Sequence, residues 1–128
     1  MIERLDHINI RTENLEAMVD WYGRLLDMHP GARPDFPFPG AWLYAGGLPL
    51  VHLVGVREAP GSDPGDLRLE HGAFRARGMA GFLARLDAAG ERREVVRVPG
   101  FPIVQVNVWD PDGNHLHVDF DAAEMQEA

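Results

Sequence analysis

Four histidines carry the chemistry that this sequence can do. His7 and His71 occupy matching places in two similar heptads, Leu5-Asp6-His7-Ile8-Asn9-Ile10-Arg11 and Leu69-Glu70-His71-Gly72-Ala73-Phe74-Arg75, set 64 positions apart. His52 and His117 form a second matched pair, 65 positions apart. Imidazole is the commonest side chain for holding zinc, iron, copper or nickel near neutral pH, and strands can fix such ligands while leaving coordination positions open to a substrate. No two of the four lie at an i, i+4 spacing, which excludes a helix-borne H-E-x-x-H zinc motif. A single strand histidine is usually a hydrogen-bonded structural residue. Recurrence at matched positions is what points to a ligand role for His7, His52, His71 and His117. His52 and His117 are also candidate bases, because imidazole titrates near working pH.

The elements that must position these residues repeat as well. Leu15, Met18, Val19 and Tyr22 fall, after the same offset, on Met79, Phe82, Leu83 and Leu86, apolar positions at helical spacing. Residues 4–11 alternate as a strand, with Ile8 and Ile10 on one face and Leu5, His7, Asn9 and Arg11 on the other. Asn14 is placed to cap a helix carrying the stripe Leu15, Met18, Val19, Tyr22, Leu25 and Leu26, which ends near Asp27. Pro30, Pro34, Pro37 and Pro39 limit the next segment to an edge strand or a loop over a site. Ala41–Ala45 and Leu50–Val56 read as strands joined at Gly46-Gly47. Residues 57–67 connect the modules. The pattern then restarts: a strand at 68–76, a helix from Met79 to Ala89 closed by Gly90, and strands at 92–98, 102–109 and 114–120 around an Asp110-Pro111-Asp112-Gly113 turn. The expected architecture is a single α+β domain of two tandem βαβββ modules, about 4–56 and 68–120. Its mixed sheets would curve into a half-open barrel around a metal cleft.

Composition narrows the partners. The chain has 128 residues and no cysteine, which removes disulfides, thiolate zinc sites and thiol nucleophiles. A formal charge of −8 argues against phosphate-backbone binding, so nucleic acid is not expected. With no long apolar run and no export signal visible, a cytoplasmic protein without a membrane partner is the expectation. Asp119, Asp121, Glu124 and Glu127 suggest a frayed acidic tail. The face assigned away from the helices carries candidate substrate contacts: Trp42, Tyr44, Arg75, Gln105, Asn107 and His115. Arg11 and Arg75 either close strand ends in ion pairs or bind an anion. His115 shares a face with His117 but lies two residues off the symmetric position, which suits a supporting role. His29 reads as a surface residue.

The duplicated strand-helix-three-strand pattern, the LDHINIR and LEHGAFR openings and the closing DPDGNHLHVDF resemble the vicinal oxygen chelate superfamily. That superfamily includes glyoxalase I, extradiol dioxygenases, and fosfomycin- and bleomycin-resistance proteins. The resemblance spans residues 4–120 and implies metal ligands on the first and last strands of each module, here His7, His52, His71 and His117. It also implies a homodimer. One departure matters, since the family usually has glutamate where this chain has His117. A lactoylglutathione lyase reading is weakened by the missing carboxylates, and an extradiol dioxygenase, with two histidines and one glutamate around iron, matches imperfectly. An all-neutral ligand set leaves the charge of Fe, Zn, Ni or Mn uncompensated, which favours an anionic, chelating substrate.

Three functions follow as expectations. The first is a divalent-metal enzyme that chelates two oxygens of a small anionic substrate for isomerase, lyase or dioxygenase chemistry. The second is a non-catalytic binding or resistance protein of the bleomycin-resistance type, in which Trp42, Tyr44 and a negative surface receive a cationic aromatic guest. The third is a purely structural metal.

Overall fold

The computed structural model describes residues 1–126, so Glu127 lies outside the described residues. The fold is α+β, with two open four-stranded mixed sheets, each accompanied by one α-helix. The chain divides into two compact units, Met1–Ser62 and Asp63–Ala128. Among the described residues no helix is long and apolar enough to cross a membrane.

In the first unit the elements are β1 (Ile8–Thr12), α1 (Leu15–Leu26), β2 (His29–Pro30), β3 (Gly40–Ala45) and β4 (Leu48–Gly55), with sheet order β1-β4-β3-β2. The first strand pairs in parallel with the last, Asn9 opposite His52, and β3 runs antiparallel to β4, Trp42 opposite His52. The β3–β4 turn uses Gly46 (φ 59°) and Gly47 (φ 79°), backbone angles open to glycine and costly for other residues. Asn14 stands at the N-cap of α1, but its side chain makes no capping bond; Thr12 Oγ1 instead accepts from the Asn14 amide at 2.9 Å. The helix ends where Asp27 adopts a left-handed conformation.

The buried face of α1 is Met18, Trp21, Tyr22 and Leu25. It includes Trp21, which the expected stripe omits, and it is rotated away from Val19 and Leu26. The proline-rich segment does contribute an edge strand, β2, and is tethered beyond it. Tyr44 donates its hydroxyl to the Ala32 carbonyl at 2.6 Å, and the Gly31 amide donates to the Trp42 carbonyl at 3.0 Å.

The second unit repeats the plan with β5 (Gly72–Arg75), α2 (Met79–Ala88), β6 (Glu94–Arg97), β7 (Ile103–Trp109) and β8 (His115–Asp121), in order β5-β8-β7-β6. Again the first strand lies parallel to the last, Ala73 opposite His117. Val104, Val106 and Val108 are fully buried, as are Leu116 and Phe120 on the neighbouring strand. The Phe120 ring packs 5.8 Å from that of Phe82 on α2. This is the strand periodicity of two meeting the helical periodicity of 3.6 in one core.

The acidic tail differs from the expectation. Asp119 and Asp121 belong to β8, and residues Ala122–Gln126 form a 3₁₀ turn. Glu124 Oε1 accepts from the amides of Gly78 at 3.0 Å and Met79 at 2.8 Å, supplying the carboxylate cap that the first turn of α2 lacks. Two amide donors held by one carboxylate tie this 3₁₀ turn to the start of α2.

Candidate metal centre

Both repeated histidines lie one residue ahead of their strands, and each follows an acid. His7 donates Nδ1–H to Asp6 Oδ1 at 2.8 Å, and His71 Nδ1 contacts Glu70 Oε2. A carboxylate can only accept, so the proton sits on Nδ1 and Nε2 keeps a lone pair. His117 on β8 repeats the device, donating Nδ1–H to Asp119 Oδ1 at 2.5 Å. His52 on β4 is fixed the other way round, with Nε2–H donated to the Pro49 carbonyl at 3.1 Å, which leaves the lone pair on Nδ1. All four histidines therefore have one ring nitrogen engaged and the other in a form able to bind a metal. Orientation by an outer carboxylate or carbonyl is the usual arrangement around metal-bound histidine.

The two units arrange these rings differently. In the first, His7 stacks on His52 with centroids 3.7 Å apart and planes 9° from parallel, and Trp42 covers the other face of His52 at 4.0 Å. A metal bond to imidazole lies in the ring plane, so parallel rings do not aim at one point. One ring must turn for both to bind the same ion. In the second unit the rings are tilted. His71 lies 4.5 Å from His117 at 44° and 5.2 Å from His115 at 60°. Planes inclined in this way can intersect at a common centre.

His115 sits deeper in this cluster than its off-symmetry position suggests. Its Nδ1 is 3.1 Å from Glu70 Oε1 and its Nε2 is 2.8 Å from Asn107 Oδ1. Trp109 stacks on it at 5.2 Å, and the Arg92 guanidinium lies 3.7 Å from the centre of the Trp109 ring. Asn107 is buried and opposite His117 in the β7–β8 register. Gln105 lies opposite Asp119 on the same pair. Arg75 is set apart, lining a shallow groove with Ala76, Arg77, Asp121, Ala123 and Glu124. Tyr44 is occupied with the Ala32 carbonyl, and the exposed His29 contacts Asp27.

Sequence reasoning missed Asp6, Glu70 and Asp119 as partners of the histidines. An acid directly before the histidine in both heptads was the signal available for the first two.

The electrostatics follow from these contacts. The His7 hydrogen bond lowers the pKa of Asp6, and hydrogen bonds from His71 and then His115 lower that of Glu70. Burial, reinforced by the nearby His7, lowers the pKa of His52 below its ordinary 6.5. The folded state thus prefers neutral His52, whereas the unfolded chain takes up the proton first as pH falls. The stability that neutral His52 contributes is present above about 6.5 and is lost as pH drops through that value toward the lower folded pKa. His52→Gln should therefore unfold with a shallower loss of melting temperature than the parent between about pH 7.5 and about pH 5.5. Equal slopes in thermal melts would remove His52 as the source.

The Glyoxalase/Bleomycin resistance protein/Dioxygenase superfamily model matches residues 4–118. The chain belongs to this superfamily. Its members commonly bind metal ions and small-molecule substrates. Solved structures show the same fold. The glyoxylase/bleomycin resistance protein/dioxygenase domain from Frankia sp. EAN1pec is 20% identical with a TM-score of 0.74, the match covering 94% of this chain and 93% of that one. The lactoylglutathione lyase from Agrobacterium tumefaciens is 16% identical with a TM-score of 0.70, covering 96% and 97%. The trypanothione-dependent glyoxalase I of Leishmania major is 18% identical with a TM-score of 0.70, covering 98% and 92%. No curated protein sequence matches the chain.

Proposed function

We propose that this superfamily member is a divalent-metal enzyme acting on a small anionic substrate that chelates the ion through two oxygens. Its chemistry would be of the isomerase, lyase or dioxygenase class. The observation that carries the reading is the second-unit cluster, where three tilted imidazoles each have a carboxylate oxygen at Nδ1, from Glu70 for His71 and His115 and from Asp119 for His117. The donor set fits a borderline first-row metal such as Fe, Zn, Ni or Mn. His71 and His117 are the proposed ligands of this unit, and His7 and His52 those of the first.

When bound, the ion supplies Lewis-acid stabilisation of an oxyanion on the substrate. The residues do the rest. Released from the metal, His117 would be held by Asp119 with Nδ1–H paired and Nε2 open to a proton, the arrangement a general base needs. His52, held neutral by burial, would likewise have Nδ1 open to a proton only when it is not bound to the metal. Trp42 shields one face of His52 and offers an apolar wall to substrate.

The Trp42–His52–His7 stack favours a second reading, a non-catalytic binding protein, because stacked rings of this kind can extend onto an aromatic guest. A homodimer also belongs to the proposal. Strand β6 is one edge of the second sheet, with Val95 and Val96 exposed.

Metal content decides between the readings. Protein purified without a histidine tag should carry a divalent metal by mass spectrometry, and His117→Ala and His7→Ala should each lower the content. A protein that stays empty after reconstitution with Fe, Zn, Ni and Mn would leave the binding-protein reading in possession.

A further inference from the structure

Resting on that metal-dependent reading, we propose that Glu70 and His115 bind the ion alongside His71. Glu70 would thereby supply the carboxylate that the His117 position lacks. The ligand set of the second unit then gathers at the segment just before β5 and the first residue of β8, rather than on the symmetric histidines alone.

Asn107 makes the case for His115. Its Nδ2 donates to the Glu94 carbonyl at 3.1 Å, which fixes the amide and turns Oδ1 toward His115. Oδ1 can only accept, so His115 Nε2 carries a proton, and in the neutral ring that a metal binds, Nδ1 keeps the lone pair. That lone pair faces Glu70 Oε1 across 3.1 Å. Two electron-rich atoms held so close repel unless a second proton, which makes His115 an imidazolium, or a metal ion lies with them. The other carboxylate oxygen of Glu70 faces His71 Nδ1. A proton bridges that second pair, so the contact of Oε1 with His115 Nδ1 is the one a divalent ion would relieve, with Nε2 of His71 open to the same ion.

One donor atom from each of Glu70, His71 and His115 lies within 4.8 Å of the others. Bonds of about 2.1 Å to a central ion bring neighbouring donors to roughly 3.0–3.4 Å of one another in octahedral or tetrahedral geometry, a change that side-chain rotation can supply. Glu70 and His71 are accessible, with side chains 64% and 40% exposed, so ion and substrate can reach them. His115, at 19%, is held by Trp109 and Asn107. Two imidazoles and one carboxylate that leave further positions open form a donor set suited to iron(II). The carboxylate also cancels one of the metal's two charges, which the four histidines cannot do.

The absence of cysteine makes the test direct. Glu70→Cys and His115→Cys each introduce the sole thiol of the chain, and cobalt(II) is the probe. A thiolate bonded to cobalt gives an intense near-ultraviolet charge-transfer band that the parent protein does not have. We expect the band in both variants, and we expect Glu70→Gln to bind cobalt more weakly by about 100-fold or more in calorimetric titration, beyond the roughly 10–100-fold that losing an outer partner of His71 would cost. Cobalt bound by the parent and both cysteine variants without the band, or unchanged affinity in Glu70→Gln, overturns the assignment and leaves the metal reading standing. A parent protein that binds no cobalt overturns both.

Discussion

His71→Ala should weaken divalent-metal binding by about 100-fold or more, because it removes a ligand rather than an outer partner, whose loss alone costs about 10–100-fold. The metal-free variant should keep its circular dichroism spectrum and unfold within about 0.5 kcal/mol of the parent, as substitutions at accessible positions generally do. His71 permits this separation because it precedes β5, is 40% exposed, and spends its contacts on Glu70, His115 and His117. Titration of zinc into the metal-free proteins, followed calorimetrically, checks the first part and denaturant unfolding checks the second. Full occupancy in the variant would remove His71 from the ligand set.

Phe120→Ala should cost about 3–5 kcal/mol, the range for emptying an aromatic site in a packed core. Phe120 is 1% exposed and faces Phe82 across the contact between β8 and α2. Against a total stability of about 5–15 kcal/mol, that loss would leave the second unit marginal. Leu69→Ala makes the control, since Leu69 is 81% exposed and should change stability by less than about 0.5 kcal/mol. Urea unfolding followed by tryptophan fluorescence gives both values. A Phe120 variant as stable as the control would mean that the β8–α2 contact does not hold the core.

What the sequence revealed and what it hid divide along contact range. Alternation in Val104, Val106 and Val108 exposed the core face of β7, and Gly46-Gly47 marked the tight turn, because both signals are written in adjacent residues. The helices were also legible, but the buried arc of α1 was not. Apolar residues cover more than one face there, and only the sheet selects Trp21 over Val19. Strand starts were misjudged for a related reason. Residues 4–7 and 68–71 continue the polar-apolar rhythm, yet pairing begins at Ile8 opposite Val51 and at Gly72 opposite Leu116. At the site, duplication singled out the histidines. The contacts of Glu70 with His115 and of Glu124 with the α2 amides join residues more than forty positions apart, which periodicity cannot show.

The parallel pairing of the opening and closing strands has a consequence for synthesis on the ribosome. Among the described residues β1 pairs with β4 alone and β5 with β8 alone, so neither sheet can grow outward from its own amino-terminal strand. The hairpins β3–β4 and β7–β8 close over short stretches and are the natural nuclei, with β1 and β5 added across long loops at greater entropic cost. The first unit can mature while the second is still being translated. The second unit cannot cap α2 until Glu124 has left the exit tunnel, so a stalled chain lacking its last few residues would release a nascent unit whose helix begins with amides open to solvent.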